Sequence, residues 1–160
     1  YYDRVIADAA RRFPIDTSRM MATGFSAGGM MVWNLICDRS RLFAGFAPIS
    51  GTFWAPVPPT CSTPATNVVH IHGTNDPTVP LLGRRIADSR QGQVPKATAM
   101  YARHGGFSAP STLRAGELSC EKRTNAGKNI FNFCAHPGGH SFSIKHVEMA
   151  WKMLAEAGAL

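Results

Sequence analysis

The sequence predicts an α/β fold, a mainly parallel sheet flanked by helices, and three observations carry that prediction. Short apolar runs of strand length alternate along the chain with stretches of helical periodicity, the pattern of strand–helix–strand units. Those runs are continuously apolar, as strands covered on both faces are. The 160 residues supply one domain's worth of chain, enough for a sizeable core and too little for two ordinary domains.

Each element follows in order. Val5, Ile6, Ala9, Ala10 and Phe13 recur at helical spacing before Pro14, so an amphipathic helix with one face packed inward is expected from about Asp3 to Arg12. Ile15 to Ser18 is a polar turn, and Met20 to Thr23, bounded by Gly24, has the size of a buried strand. A helix follows from about Ala27 to Cys37. Phe43 to Ile49 and Asn67 to His72 read as further strands, with the Pro-rich loop Pro56 to Pro64 between them. Pro95 suits a helix start and Gly105-Gly106 a stop, which places a helix near Lys96 to His104. Leu118 to Arg123 and Ile130 to Ala135 flank the turn Thr124 to Lys128, as the arms of a hairpin do. A last helix runs from about Ile144 to Ala157 and stops at Gly158. No internal repeat or second domain is visible, so residues 1–160 are read as a single domain.

Composition narrows the function classes. Seventeen Lys and Arg against ten Asp and Glu give a net charge of +7, but the cations are scattered from Arg4 to Lys152. That distribution suits a solvated surface and argues against a nucleic-acid partner. Hydrophobic residues at 44% exclude a disordered chain, and no apolar run approaches the roughly 20 residues of a membrane helix. The opening Tyr1-Tyr2-Asp3-Arg4 carries no signal-peptide core and reads as a processed or truncated start. Four cysteines without a C-x-x-C argue against zinc and for disulfides, hence an extracytoplasmic compartment; three pairings are open to them.

The chemistry centres on Gly24-Phe25-Ser26-Ala27-Gly28, a G-x-S-x-G between an apolar strand and a helix. In that context the motif reads as a nucleophile elbow, a turn so sharp that bulky neighbours of the serine would clash; Gly24, Gly28 and Gly29 answer that demand. The helix start aims the Ala27 N–H and the positive end of the helix dipole at an oxyanion forming beside Ser26. A serine hydroxyl needs a histidine base and a carboxylate to orient it, in the order Ser, acid, His for this kind of fold. Asp76, in His72-Gly73-Thr74-Asn75-Asp76-Pro77 just past a strand, is the expected acid; it also suits an Asn-Asp-Pro turn. Asp88 competes but sits among Arg84, Arg85 and Arg90 in a polar stretch. His140, in Pro137-Gly138-Gly139-His140, is the expected base, because two glycines let the backbone turn its ring toward the serine. His136 is its rival, four residues earlier. Pro137-Gly138-Gly139 forbids the helix that a zinc-binding His136/His140 pair would need, and neither metal nor other cofactor is expected. His70 and His72 read as strand residues, His104 and His146 as helix residues.

Gly-Phe-Ser-Ala-Gly-Gly, His-Gly-Thr-Asn-Asp-Pro-Thr-Val-Pro and Pro-Gly-Gly-His-Ser-Phe, in that order, resemble the polyhydroxybutyrate depolymerase and feruloyl esterase group of secreted α/β-hydrolases. Ile15 to Arg19 and Leu42 to Pro48 fit it too. The resemblance implies Ser26 as nucleophile, Asp76 as orienting acid and His140 as base, and an ester of polyhydroxyalkanoate or feruloyl type as substrate. It also implies the pairings Cys37 with Cys61 and Cys120 with Cys134. Members of the group have a longer N-terminal half, whose loop donates a second oxyanion-hole N–H. By that comparison the chain looks like the C-terminal portion of an enzyme, with the strand before Ser26 left with an unpaired edge and the N-terminal half as its natural partner. Phe142 stands where the group commonly has Trp. Two further readings share these residues: a fragment that is inactive or acts only on complementation, and a serine peptidase of the same fold.

Overall fold

The apolar runs become neighbouring strands, and their order in space explains where the chemistry gathers. The computed structural model describes residues 1–160. In chain order the elements are α1 (Tyr2–Arg12), β1 (Met21–Phe25), α2 (Ala27–Asp38), β2 (Gly45–Ile49), β3 (Asn67–Gly73), β4 (Arg85–Ile86), β5 (Ser89–Arg90), α3 (Val94–His104), β6 (Ser111–Ala115), β7 (Leu118–Thr124), β8 (Ile130–His136) and α4 (Ile144–Glu156). Single turns of 3-10 helix cover Thr17–Arg19 and Ser40–Leu42.

One six-stranded sheet runs β1-β2-β3-β8-β7-β6. Its first four strands are parallel, and β7 and β6 continue it antiparallel, so the sheet is mixed. This is the expected α/β architecture. Alternation along the strands sorts side chains to two cores. Phe46, Val68 and Phe131 meet Trp33 and Ile36 of α2 and Met100 and Tyr101 of α3 on one face. Ala47, Ile49, Val69 and Ile71 meet Ala150 and Leu154 of α4 on the other. β2 is buried at every position and β3 at all but Asn67, which is why both read as unbroken apolar runs.

The structure departs from the sequence reading in three places. α1 forms, but none of its residues is buried; Val5 is 45% exposed, and Tyr2 alone of the helix packs against a core. Its apolar stripe is at most half-buried, at Ile6 and Ala9, so the inward-packed face is realised only in part. β6, unanticipated, completes a second hairpin with β7 at the sheet's edge. β2 begins at Gly45 because the 3-10 turn consumes Ser40–Leu42. At the opposite edge β1 pairs with β2 only, leaving its outer side unpaired. Disulfides join Cys37 at the end of α2 to Cys61, and Cys120 to its cross-strand neighbour Cys134. These are the two pairings that the resemblance implies.

Candidate active site

The site is assembled at the C-terminal ends of β1, β3 and β8, whose parallel course brings three loops to one edge. Ser26 is the single residue between β1 and α2, with φ 57° and ψ −118°. A non-glycine residue held there costs on the order of 1–3 kcal/mol and must be fixed by its surroundings. The Ser26 N–H donates to the Ile49 carbonyl at 2.9 Å, and the Ser26 carbonyl accepts from Met30 N–H at 3.0 Å. A Cβ on Gly24 would come within 2.5 Å of the Gly28 carbonyl group, and one on Gly29 within 2.7 Å of the Ile49 oxygen. A Cβ on Gly28 would meet nothing within 4 Å. The steric demand therefore falls on Gly24 and Gly29, and Gly28 contributes the backbone that Gly24 abuts. Ala27 opens α2, so its N–H has no partner within the helix.

Asp76 lies on the loop after β3 with its carboxylate fully buried. Oδ1 accepts from the N–H groups of Thr78 and Val79, both at 2.8 Å, and Oδ2 faces His140 Nδ1 at 2.7 Å. Burial pushes this carboxyl's pKa up, but the bonds from His140, Val79 and Thr78 together outweigh it and hold the group below its ordinary value. Because His140 Nδ1–H donates to the carboxylate, Nε2 of that ring is left to accept from the Ser26 hydroxyl, 3.0 Å away. The imidazole rests against Phe25, with ring centroids 4.6 Å apart. Asp76, His140 and Ser26 thus form one line of hydrogen bonds.

The loop carrying His140 is pressed onto the end of β3: a Cβ on Gly73 would lie 2.4 Å from the Gly138 oxygen. Three further bonds tie it to the Asp76 loop. Thr74 N–H donates to the His136 carbonyl at 2.8 Å, Asn75 N–H to Gly138 at 3.1 Å, and the Asn75 side-chain amide to Pro137 at 2.7 Å. Behind Asp76, His72 Nε2 donates to the Val79 carbonyl at 2.8 Å, since a carbonyl can only accept. His72 Nδ1 then accepts from His70 Nε2 at 3.0 Å. Burial lowers the pKa of both rings, most strongly for His70, and keeps them neutral in this arrangement.

The rivals lie elsewhere. His136 Nδ1 accepts from Gly138 N–H, and its ring stacks at 4.7 Å on His146, which donates to Glu117. Asp88 is exposed at the turn between β4 and β5. His104, at the end of α3, bonds Thr60 and the Thr63 carbonyl. Asn75 and the Thr78 and Val79 N–H groups were not singled out from sequence. The available signal is the Asn-Asp-Pro turn itself, because an Asp in such a turn takes the N–H groups two and three residues on.

Comparison with known proteins finds carboxylesterases and esterases. A family model described as phospholipase/carboxylesterase matches residues 3–91. The chain is 34% identical over 83 residues to a bifunctional acetylxylan esterase/xylanase of Neocallimastix patriciarum, covering 48% of this chain and 11% of that protein. It is 26% identical over 140 residues to a feruloyl esterase C of Aspergillus oryzae, covering 86% of this chain and 48% of that one. Among solved structures, esterase PE8 superposes with a TM-score of 0.55 at 17% identity, over 98% of this chain and 58% of that one, a likeness of fold. The chain thus spans about half the length of the feruloyl esterase C and a smaller share of the first relative.

Proposed function

We infer the activity from one premise, that this chain belongs to the phospholipase/carboxylesterase family. It is a serine carboxylic-ester hydrolase, and the observation that carries this reading is the unbroken line from Asp76 Oδ2 through His140 to Ser26 Oγ. Ser26 Oγ attacks the ester carbonyl carbon while His140 Nε2 takes its proton, and Asp76 stabilises the imidazolium. The Ala27 N–H donates to the tetrahedral oxyanion. As the C–O bond to the alcohol breaks, His140 returns the proton to the leaving oxygen, and the acyl group stays on Ser26. Water, deprotonated by His140, then attacks the acyl carbon, and as its bond to Ser26 Oγ breaks, His140 returns the proton to that oxygen and the acid is released. A single oxyanion donor is worth on the order of 3 kcal/mol, about a hundredfold in rate, so turnover depends on how many donors face that oxygen.

The esterase names of the relatives favour ester over peptide as substrate. The feruloyl esterase relative favours a plant-wall ester over a polyhydroxyalkanoate. Two disulfides support an extracytoplasmic location. Reacting the native chain with a fluorophosphonate and mapping the adduct tests the reading, beside p-nitrophenyl butyrate hydrolysis. Labelling at Ser26 with turnover, both lost in Ser26→Ala, is expected; turnover that survives Ser26→Ala overturns it.

A second reading is favoured by the unpaired outer edge of β1 and the apolar stripe of α1, none of whose residues is buried. In it the chain acts only when further polypeptide of the same enzyme covers that side. A folded chain that resists labelling alone and is labelled when that polypeptide is supplied supports it.

A further inference from the structure

The line of catalytic groups ends at Asp76, but the hydrogen bonds run on into the sheet. Asp76 Oδ1 is held by the Thr78 and Val79 N–H groups, and Val79 is gripped on both sides. The Thr78 carbonyl, in the peptide that carries the Val79 N–H, accepts from Arg84 Nε at 2.7 Å. The Val79 carbonyl accepts from His72 Nε2 at 2.8 Å. The two grips are not equivalent. Arg84 is exposed, so water can take over its bond, whereas His72 and Val79 are wholly buried. A buried carbonyl that loses its donor has no water to turn to.

His70 backs His72 on the same face of β3, and its Nε2–H donates to His72 Nδ1 at 3.0 Å. A second proton on His72 would sit at Nδ1, against that N–H. His70 makes room for it only by moving its own proton to Nδ1, an atom that is buried without a hydrogen-bond partner. The pair therefore holds His72 as an uncharged donor. That matters because His72 Nε2 lies 3.7 Å from Asp76 Oδ2, the oxygen that faces His140, and both side chains are wholly buried. A cation there would compete for the carboxylate's charge, which the imidazolium at His140 needs in turnover. Trp33 of α2 and Phe133 of β8 pack on His70 and bring no charge. The titratable groups facing His72 are thus His70, Asp76, His140 and His136.

We propose that His72 is a positioning residue for the reaction. Through Val79 it sets the rotation of the Asp76 carboxylate, and His70 keeps it in the uncharged form that does so without drawing on that carboxylate. The effect on turnover rests on the esterase reading; the effect on the His140 ring does not.

Histidine tautomers, read by long-range proton–nitrogen NMR at about pH 8, above the ordinary histidine range, test it. In the native chain His72 is expected as the Nε2–H tautomer and His140 as the Nδ1–H tautomer. Gln and Asn then separate the bonds of His72, because a Gln amide reaches where Nε2 lies and an Asn amide only where Nδ1 lies. His72→Gln keeps a donor for Val79, keeps His140 as Nδ1–H and keeps kcat on p-nitrophenyl butyrate within about threefold of native. His72→Asn loses that donor, moves His140 toward the Nε2–H tautomer and lowers kcat about tenfold with KM nearly constant. Urea unfolding confirms that both variants are folded. A native His72 that is cationic or protonated on Nδ1, or a native His140 protonated on Nε2, overturns the proposal without any variant. So does a folded His72→Asn whose His140 tautomer or kcat is unmoved, or a His72→Gln as impaired as His72→Asn. A native chain with the expected tautomers and no turnover defeats only the esterase reading, because the tautomer contrast between the variants still decides this one.

Discussion

Asn75→Ala tests whether the loops bearing Asp76 and His140 are held together by the bond between them. Of the three ties linking those loops, only the one from the Asn75 side chain to the Pro137 carbonyl, at 2.7 Å, is removed. The two backbone ties, Thr74 to His136 and Asn75 to Gly138, remain. An exposed neutral hydrogen bond is worth about 1 kcal/mol net, which is about fivefold in the ratio of docked to undocked arrangements. If that arrangement is the one in which His140 reaches Ser26, kcat on p-nitrophenyl butyrate falls by at most about fivefold with KM nearly constant, and urea unfolding shows a loss of about 1 kcal/mol. Asn75→Asp is the sharper variant. Its carboxylate cannot donate to Pro137 and places a second negative charge beside Asp76, so it should be at least as impaired as the alanine. Full kcat in Asn75→Asp refutes the reasoning, because it would show that His140 is positioned without this contact.

The elbow makes an ordered prediction: Gly24→Ala, whose Cβ would sit 2.5 Å from backbone, costs about 1–3 kcal/mol or more, while Gly28→Ala gains roughly 0.5–1 kcal/mol of helix propensity. Chemical denaturation of the two variants checks it, and the reverse order defeats it. Replacing Cys120 and Cys134 by Ser opens a loop with a sequence separation of 14 and should cost about 3 kcal/mol, lowering Tm by about 6–12 °C. A fall under about 2 °C by calorimetry would contradict that. Burial depresses the pKa of His70, His72 and His136 in the folded state, so below the ordinary histidine value of 6.5 the unfolded chain binds protons that the folded one refuses. Stability is then full above that value and is lost as the pH falls toward the depressed ones, by up to about 1.4 kcal/mol per pH unit for each proton; a Tm that does not fall between about pH 7 and 5 contradicts this.

How legible the fold was depends on how each strand is covered. β2, β3 and β8 could be read because helices cover the sheet on both faces, and burial on both sides writes itself as largely apolar sequence, whereas β1, at the open edge, is buried only at Ala22 and was legible from its apolar run and the glycine that bounds it. β6 carries no such mark. As the edge strand of a hairpin it is Ser-Thr-Leu-Arg-Ala, exposed or half-buried throughout, and its pairing with β7 is set by the turn. α1 shows the converse. Periodicity reveals which face of a helix is apolar, but not how far it is covered, and here no residue of it is buried.

The site follows a related rule, in which local geometry is written in the sequence and long-range support is not. The elbow at Ser26 is a steric necessity of one short segment, so its glycines announce it. Asn75 acts on a carbonyl 62 residues away, and no local pattern can show that. Asp76 joins the two cases. Its sequence context offers a turn residue or a partner for the histidine as alternatives, yet in the structure one produces the other. As a turn residue it spends Oδ1 on the Thr78 and Val79 N–H groups, and that fixes the carboxylate's rotation. His72 in turn holds the Val79 carbonyl, so the donors themselves are anchored to β3. Oδ2 has then one direction left to face, and His140 stands there at 2.7 Å.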